Sequence, residues 1–192
     1  KLNNDVGGLC SGINCQTVRD NSEIDQIYQA LCQHGLLVFP EQELGGADLT
    51  NFMSNVNTLR PRHGVEKTLE GFPHVVIRSN IKENGEAIGH QPAKSIEWHS
   101  DGTGVGTRHL ATCLYGVEIP KLGGDTLFVN GYLSLNALPP ALSKQVKSLN
   151  ITYSRLYLYE KLGYANKWST EELAQSSNVT KPLVLRHPVT QL

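Results

Sequence analysis

The chain has 192 residues, of which 39% are hydrophobic and 18% are charged, and its formal net charge is −1. These values suit one globular domain with a core of ordinary size. The near-neutral net charge does not indicate binding to nucleic acid or to an anionic membrane. No apolar run approaches the ~18 residues of a membrane span. The first residues are polar and lack the pattern of a signal peptide, so the sequence predicts a cytoplasmic protein.

Two amphipathic helices are predicted in the first third of the chain. The first has apolar residues at i, i+3, i+4 and i+7 counted from Ile24, a cap at Asn21 or Ser22, and an end at Gly35. The second begins near Ala47 and places its apolar side chains on one face. Both faces are typical of core packing.

The rest of the chain favours short strands. A third helix is predicted after Pro139-Pro140, because proline is favourable in the first turn of a helix. Residues 80–94 have the composition of a long loop, and residues 155–181 read as a polar insertion. Strands are predicted at residues 7–18, 36–39, 73–79, 109–119, 126–130, 151–154 and 182–192. Alternating strands with helices concentrated toward the front favour a mostly β fold with flanking helices, a double-stranded β-helix or jelly roll.

A histidine and an aspartate stand two residues apart in the segment W-H-S-D-G-T, as His99 and Asp101. On a strand their side chains would point to the same face, where an imidazole nitrogen and a carboxylate oxygen can converge on one divalent metal. A third ligand on that side would complete the facial triad of non-haem Fe(II) oxygenases, which leaves positions for a co-substrate and dioxygen. By itself, the pair fits a solvated surface turn equally well.

Three further segments follow this pair in order: L-Y-G-V-E-I-P from Leu114, G-G-D-T-L-F-V-N from Gly123 and A-L-P-P from Ala137. Together with W-H-S-D-G-T they resemble the TauD/TfdA family of Fe(II)- and 2-oxoglutarate-dependent dioxygenases, in the family's order and approximate spacing. The resemblance extends from about Gly7 to Leu192. It implies a cupin-like jelly roll and a reaction that hydroxylates a small organic substrate with dioxygen, releasing succinate and CO₂.

The resemblance also implies roles for individual residues. His99 and Asp101 would bind Fe(II), and Thr126 matches the family threonine whose hydroxyl helps to hold the distal carboxylate of 2-oxoglutarate. Ser95 and His63 are the candidates for contacts with the substrate, although a packed or solvated histidine is the alternative for His63. A small organic acid is the default substrate, by analogy alone.

Part of the family pattern has no match in this sequence. The family's second histidine ligand lies in a W-D-N-R-like segment near the C-terminus, and a following arginine pairs with the distal carboxylate of 2-oxoglutarate. His187 and Arg186 are the only substitutes, and they lie in a stretch that resembles the family's non-ligating R-T-H-P strand. We therefore expect one dioxygenase-like domain over residues 1–192, incomplete at its C-terminus.

Two other functions stay open from the sequence. The chain could be a binding or interaction module that holds little metal, or a cupin-type metalloenzyme that does not use 2-oxoglutarate. The four cysteines show no C-x-x-C spacing and are expected to be reduced. The sequence carries no signal for the oligomeric state, and a homo-oligomer stays open.

Overall fold

The computed structural model describes residues 6–59, 67–89, 98–102, 110–161, 178–187 and 189–191. The chain divides into two units, each assembled from separate stretches. The first unit comprises Lys1–Leu44, Leu114–Ile151 and Lys181–Leu192, and the second comprises Gly45–Cys113 and Thr152–Thr180. Within the described ranges, we find no helix that is both long and apolar enough to span a membrane.

The described residues form five helices and eight short strands. The helices are α1 (Asn21–His34), α2 (Gly46–Val56), α3 (Gly131–Asn136), α4 (Pro140–Ser148) and α5 (Arg155–Lys161). The strands are β1 (Gly8–Leu9), β2 (Leu37–Val38), β3 (Thr68–Leu69), β4 (Phe72–Val76), β5 (Lys82–Glu83), β6 (Glu86–Ala87), β7 (Asn150–Tyr153) and β8 (Val179–Pro182). They pair as β1–β2, β3–β4, β5–β6 and β7–β8, each a two-stranded sheet.

Helix α1 matches its predicted length, but its cap differs from the prediction. The N-cap is Asp20, whose carboxylate accepts the Ser22 N–H at 2.6 Å, instead of Asn21 or Ser22. The hydrogen bonds from Ser22 lower the pKa of the Asp20 carboxyl, because they favour its charged form. The helix ends as predicted at Gly35, whose left-handed conformation (φ 69°) lets its N–H reach the Leu31 carbonyl.

Helix α2 packs its first turn against the β3–β4 hairpin. A Cβ added at Gly46 would lie 2.6 Å from Cδ2 of Phe72 and 2.7 Å from Cδ2 of Leu69. Leu69 and Phe72 are the paired residues at the hairpin end, and Phe52 on the same helix is buried. Because only glycine fits at this approach, the absence of a side chain at position 46 is needed for the packing.

We expect Gly46→Ala to lower the free energy of unfolding by about 1–3 kcal/mol, the usual cost of overpacking. Denaturant titration of the full-length protein measures this difference. Gly131→Ala is the matched control, because Gly131 is also the first residue of a helix and an added Cβ there meets no atom within 4 Å. Equal effects of the two substitutions would contradict the packing argument.

The segment predicted as a loop from residue 80 contains a hairpin. Strands β5 and β6 pair antiparallel around Asn84 and Gly85, which both have positive φ, 51° and 85°. Two successive residues with positive φ make the tight turn that matches the twist of a hairpin. The Asn-Gly dipeptide is the sequence signal for this turn, and the interpretation as a loop overlooked it.

The two strands predicted at residues 109–119 and 126–130 are wrong for the part of the chain that the structure describes. Residues 110–130 contain no regular secondary structure. Their apolar side chains are largely exposed, including Leu114, Val117, Ile119, Leu122, Leu127 and Val129. An apolar pattern becomes a strand only where a neighbouring backbone supplies hydrogen bonds, and no described strand pairs with these residues.

The last third of the chain differs from the prediction in its boundaries. Pro140 begins α4, as the Pro-Pro signal indicated, and β7 lies one residue ahead of its predicted position. The final strand, β8, ends at Pro182, where the predicted strand was to begin. Of the predicted insertion, residues 155–161 form α5 and residues 162–177 lie outside the described residues. The described strands form two-stranded sheets, and the jelly roll expected from the sequence stays a prediction.

Candidate metal-binding site

His99 and Asp101 lie in the described segment 98–102, which is a turn instead of the predicted strand. Gly102 has a φ of 68°, a left-handed conformation that suits glycine and ends the extended path of the chain. The two side chains nevertheless converge, with 3.4 Å between His99 Nε2 and Asp101 Oδ1. Their side chains are 55% and 46% exposed, so both remain accessible to an ion from solvent.

This geometry fits two adjacent ligands of one metal ion. Two donors at right angles, each ~2.1 Å from a metal, lie about 3 Å apart, close to the observed separation. Imidazole and carboxylate are also the donor types of a non-haem iron centre. Among the described residues there is no group of three or more His, Cys, Asp or Glu side chains that could hold a metal. The pair could supply two ligands, and no described side chain joins it to make a group of three.

Of the other predicted site residues, Thr126 lies within the described ranges. Thr126 is exposed and follows Gly123 and Gly124, whose φ values of 78° and 76° lie in the left-handed region that suits glycine. Thr126 belongs to the first unit and the His99–Asp101 pair to the second, and its role stays a prediction. His63 and Ser95 lie outside the described residues.

His187 has hydrogen bonds that favour a structural role over metal ligation. Its Nδ1 accepts the N–H of Val189 at 3.3 Å and that of Thr190 at 3.2 Å. A histidine that binds a metal through Nε2 usually donates a hydrogen bond from Nδ1. In His187, Nδ1 accepts hydrogen bonds instead. Arg186, the proposed substitute anchor, donates from Nη1 to the Gln191 carbonyl at 3.3 Å.

Sequence reasoning missed a group of polar contacts in the first unit. The Gln42 side chain accepts the Cys15 N–H and donates to the carbonyls of Ile13 and Pro40, each at 2.8 Å. The Tyr115 hydroxyl, part of the L-Y-G-V-E-I-P motif, accepts the Leu44 N–H at 3.0 Å and donates to the Gln42 carbonyl at 3.1 Å. A glutamine between two loops carries no spacing signal, so only the structure reveals it.

The neighbouring cavity, of about 510 Å³, has a lining made of loop residues. It is lined by Ser11, Gly12, Ile13, Asn14, Gln16, Pro40, Glu41, Gln42 and Glu43. None of the residues predicted to bind metal, co-substrate or substrate is among them. We therefore assign the cavity no role in the predicted chemistry.

Curated relatives resemble the chain along most of its length. It is 26% identical to an (S)-phenoxypropionate/alpha-ketoglutarate-dioxygenase of Delftia acidovorans, over 96% of this chain and 65% of the relative. It is 30% identical to pentalenolactone F synthase of Streptomyces avermitilis, over 81% and 52%, and 27% identical to an alkylsulfatase of Acinetobacter baylyi, over 99% and 59%. The chain thus spans between half and two thirds of the length of these relatives.

Solved structures share its fold. The crystal structure of AAD-2 in complex with Mn(II) and N-oxalylglycine matches with a TM-score of 0.63 and 19% identity, over 98% of this chain and 64% of that one. A taurine dioxygenase from Burkholderia xenovorans matches with a TM-score of 0.66 and 24% identity, over 97% and 57%. At this identity the likeness establishes the fold alone. The sequence also matches the taurine catabolism dioxygenase TauD, TfdA family over residues 2–192. The chain therefore belongs to the TauD/TfdA family.

Proposed function

We propose that the full-length protein is an Fe(II)- and 2-oxoglutarate-dependent dioxygenase that hydroxylates a small organic substrate and releases succinate and CO₂. The observation that carries this proposal is the 3.4 Å approach of His99 Nε2 and Asp101 Oδ1 within the family's W-H-S-D-G-T motif. Family membership supports it, since the family is described as one of dioxygenases and the Delftia acidovorans relative is named as an alpha-ketoglutarate-dioxygenase. The jelly roll is proposed for the full-length protein on the same grounds.

In this proposal, each residue of the chain has a limited task. His99 contributes a neutral nitrogen and Asp101 a charged oxygen, which together hold Fe(II) and lower the net charge of the site. The Thr126 hydroxyl donates a hydrogen bond to the distal carboxylate of 2-oxoglutarate. Bound iron and 2-oxoglutarate supply the oxidising chemistry, while the protein orients the substrate and keeps water out.

The third metal ligand and the carboxylate-binding arginine are proposed to lie outside residues 1–192. Two observations support this. The sequence has no match to the family's W-D-N-R-like segment, and His187 uses its Nδ1 as a hydrogen-bond acceptor within its own turn. The relatives are also longer than the matched stretch, so they contain further residues that could complete such a site.

We further propose that the substrate is a small organic anion, with His63 and Ser95 among its contacts. The names of two relatives support this, one acting on phenoxypropionate, which is a carboxylate, and one an alkylsulfatase. The different names among the relatives argue that the substrate is set by local contacts and not by the fold.

The test is succinate formation by the full-length protein, reconstituted with Fe(II) without oxygen and then exposed to dioxygen and 2-oxoglutarate. The candidate substrates are a phenoxypropionate, an alkyl sulfate and an alkyl sulfonate. Mass spectrometry detects both succinate and the hydroxylated product. We expect succinate only with both Fe(II) and 2-oxoglutarate, a hydroxylated product from at least one acid, and inhibition by N-oxalylglycine. Iron binding without succinate would indicate a cupin-type enzyme instead, and the absence of both would indicate a binding module.

A further inference from the structure

Residues 186–187 and 189–191 belong to a turn that closes on a histidine side chain. His187 Nδ1 accepts the N–H groups of Val189 and Thr190, at 3.3 and 3.2 Å. The His187 carbonyl also accepts the Gln191 N–H at 3.0 Å. Asparagine or aspartate usually supplies the side-chain acceptor in turns of this type, because the acceptor must reach the backbone two or three residues ahead. Here an imidazole nitrogen takes that position, and it can be protonated.

The closed turn is held against helix α3 by two contacts. The Tyr132 hydroxyl lies 3.0 Å from Thr190 Oγ1, within hydrogen-bond distance. The Tyr132 ring meets the His187 ring edge to face, with centroids 6.4 Å apart and an interplanar angle of 67°. Tyr132 is itself fixed, because its N–H donates to the side chain of Asn130, the N-cap of α3, at 2.9 Å. The turn and the start of α3 thus form one connected cluster.

Two donors directed at one nitrogen define the protonation state of the ring. A nitrogen that accepts hydrogen bonds must carry a lone pair, so the closed turn requires a neutral imidazole with its hydrogen on Nε2. A proton added to Nδ1 would face two N–H groups and remove both bonds. We infer that the His187 turn is an acid-sensitive latch, closed against α3 while His187 is neutral and released from Tyr132 when His187 is protonated.

Two ionisable residues among the described ones make hydrogen bonds within or to the turn, Tyr132 and Arg186. Helix α3 presents the Tyr132 hydroxyl, which is paired with Thr190, and has no acidic residue in its first turn or basic residue in its last turn. On the turn itself, Arg186 is a cation whose guanidinium donates to the Gln191 carbonyl. Neither group offers a negative charge to a protonated ring. The latch is therefore expected to be closed at pH 7.5 and to open on acidification, because a proton on Nδ1 removes the acceptor of both hydrogen bonds.

The test compares His187→Asn and His187→Gln in the full-length protein by thermal unfolding at pH 7.5 and 5.5. The Asn oxygen takes the place of Nδ1 and keeps the turn without titrating, whereas the Gln oxygen reaches too far. At pH 7.5 we expect His187→Gln to lower the midpoint by about 2–6 °C and His187→Asn to leave it within about 1 °C. At pH 5.5 the wild type should fall below His187→Asn by a similar amount.

Two controls make the result decisive. Tyr132→Phe removes the hydroxyl bond but not the acceptor, so its effect on the midpoint should be equal at the two pH values. Long-range ¹H–¹⁵N correlation of the wild type at pH 7.5 should show His187 with its hydrogen on Nε2. A hydrogen on Nδ1, the same pH dependence in wild type and His187→Asn, or equal tolerance of Asn and Gln would each overturn the latch. All these readouts are independent of iron and turnover.

Discussion

Asp101→Ala and His99→Ala are each expected to reduce Fe(II)-dependent succinate formation by ~100-fold or more, beyond the 10–100-fold loss typical for a residue that only supports a metal ligand. Each substitution removes one of the two donors that approach within 3.4 Å. A single remaining ligand from this motif would hold iron weakly, so little of the enzyme would carry the iron that the reaction requires. Succinate assays and iron titration of the full-length protein measure both consequences.

The fold should survive these substitutions. Both side chains are about half exposed, so their removal leaves no cavity in a core. The circular dichroism spectrum and the unfolding midpoint are expected to stay close to those of the wild type. Asp25→Ala, which removes an exposed carboxylate from α1, is the control for a general charge effect. Full activity in Asp101→Ala would overturn the metal assignment, and so would equal losses in Asp25→Ala and Asp101→Ala.

Phe52→Ala is expected to produce the largest loss of stability, about 3–5 kcal/mol in the free energy of unfolding. Phe52 is 5% exposed and is the buried residue of α2. Truncation to alanine removes the apolar ring from its burial site and leaves a cavity that the surrounding residues fill only in part. Urea titration followed by circular dichroism measures the change.

The matched control for this substitution lies on the same helix. Asn51 is exposed, so Asn51→Ala should change the free energy of unfolding by less than about 0.5 kcal/mol. A small effect of Phe52→Ala, comparable with that of Asn51→Ala, would mean that α2 contributes little to the core. An intermediate loss in Phe52→Leu would be consistent with a packing effect instead of a local change in helix propensity.

The helices were predictable because their signals are local. The apolar spacing from Ile24 and the glycine at position 35 define α1, and both act within the segment itself. The cap was misplaced by one residue, since Asp20, Asn21 and Ser22 are all acceptable cap residues and only the backbone conformation decides among them. For the same reason, the Asn84-Gly85 turn was within reach of sequence reasoning, although the loop interpretation overlooked it.

The strands were less predictable because a strand depends on a distant partner. Residues 110–130 carry an apolar pattern, yet no described strand pairs with them. The bulge between Thr68 and Leu69 in the β3–β4 pairing was also invisible in the pattern. Pro73, which has no N–H to donate, offers a physical reason for that shift in register.

The sequence proposes the chemistry of the site but not its geometry. The motif predicts His99 and Asp101 as metal donors, and this stays a prediction that their 3.4 Å approach is compatible with. The turn that carries them was predicted as a strand, because the side-chain period of two was the simplest route to convergence. The acceptor role of His187 had no sequence signal, since Asn, Asp, Ser and Thr are the residues whose side chains usually bond to the backbone in turns.

The interleaved composition of the two units has a consequence for how the protein folds. The first unit gathers Lys1–Leu44 with Leu114–Ile151 and Lys181–Leu192, and the second closes within the intervening stretches. No single cut of the chain separates them, so neither unit is available as a continuous fragment. The contacts inside each unit join stretches that are distant in the sequence, so long loops must close before these contacts form. Closing such loops costs conformational entropy. Folding is therefore expected to be slower than for a helical domain of equal length and to depend on most of the chain being present.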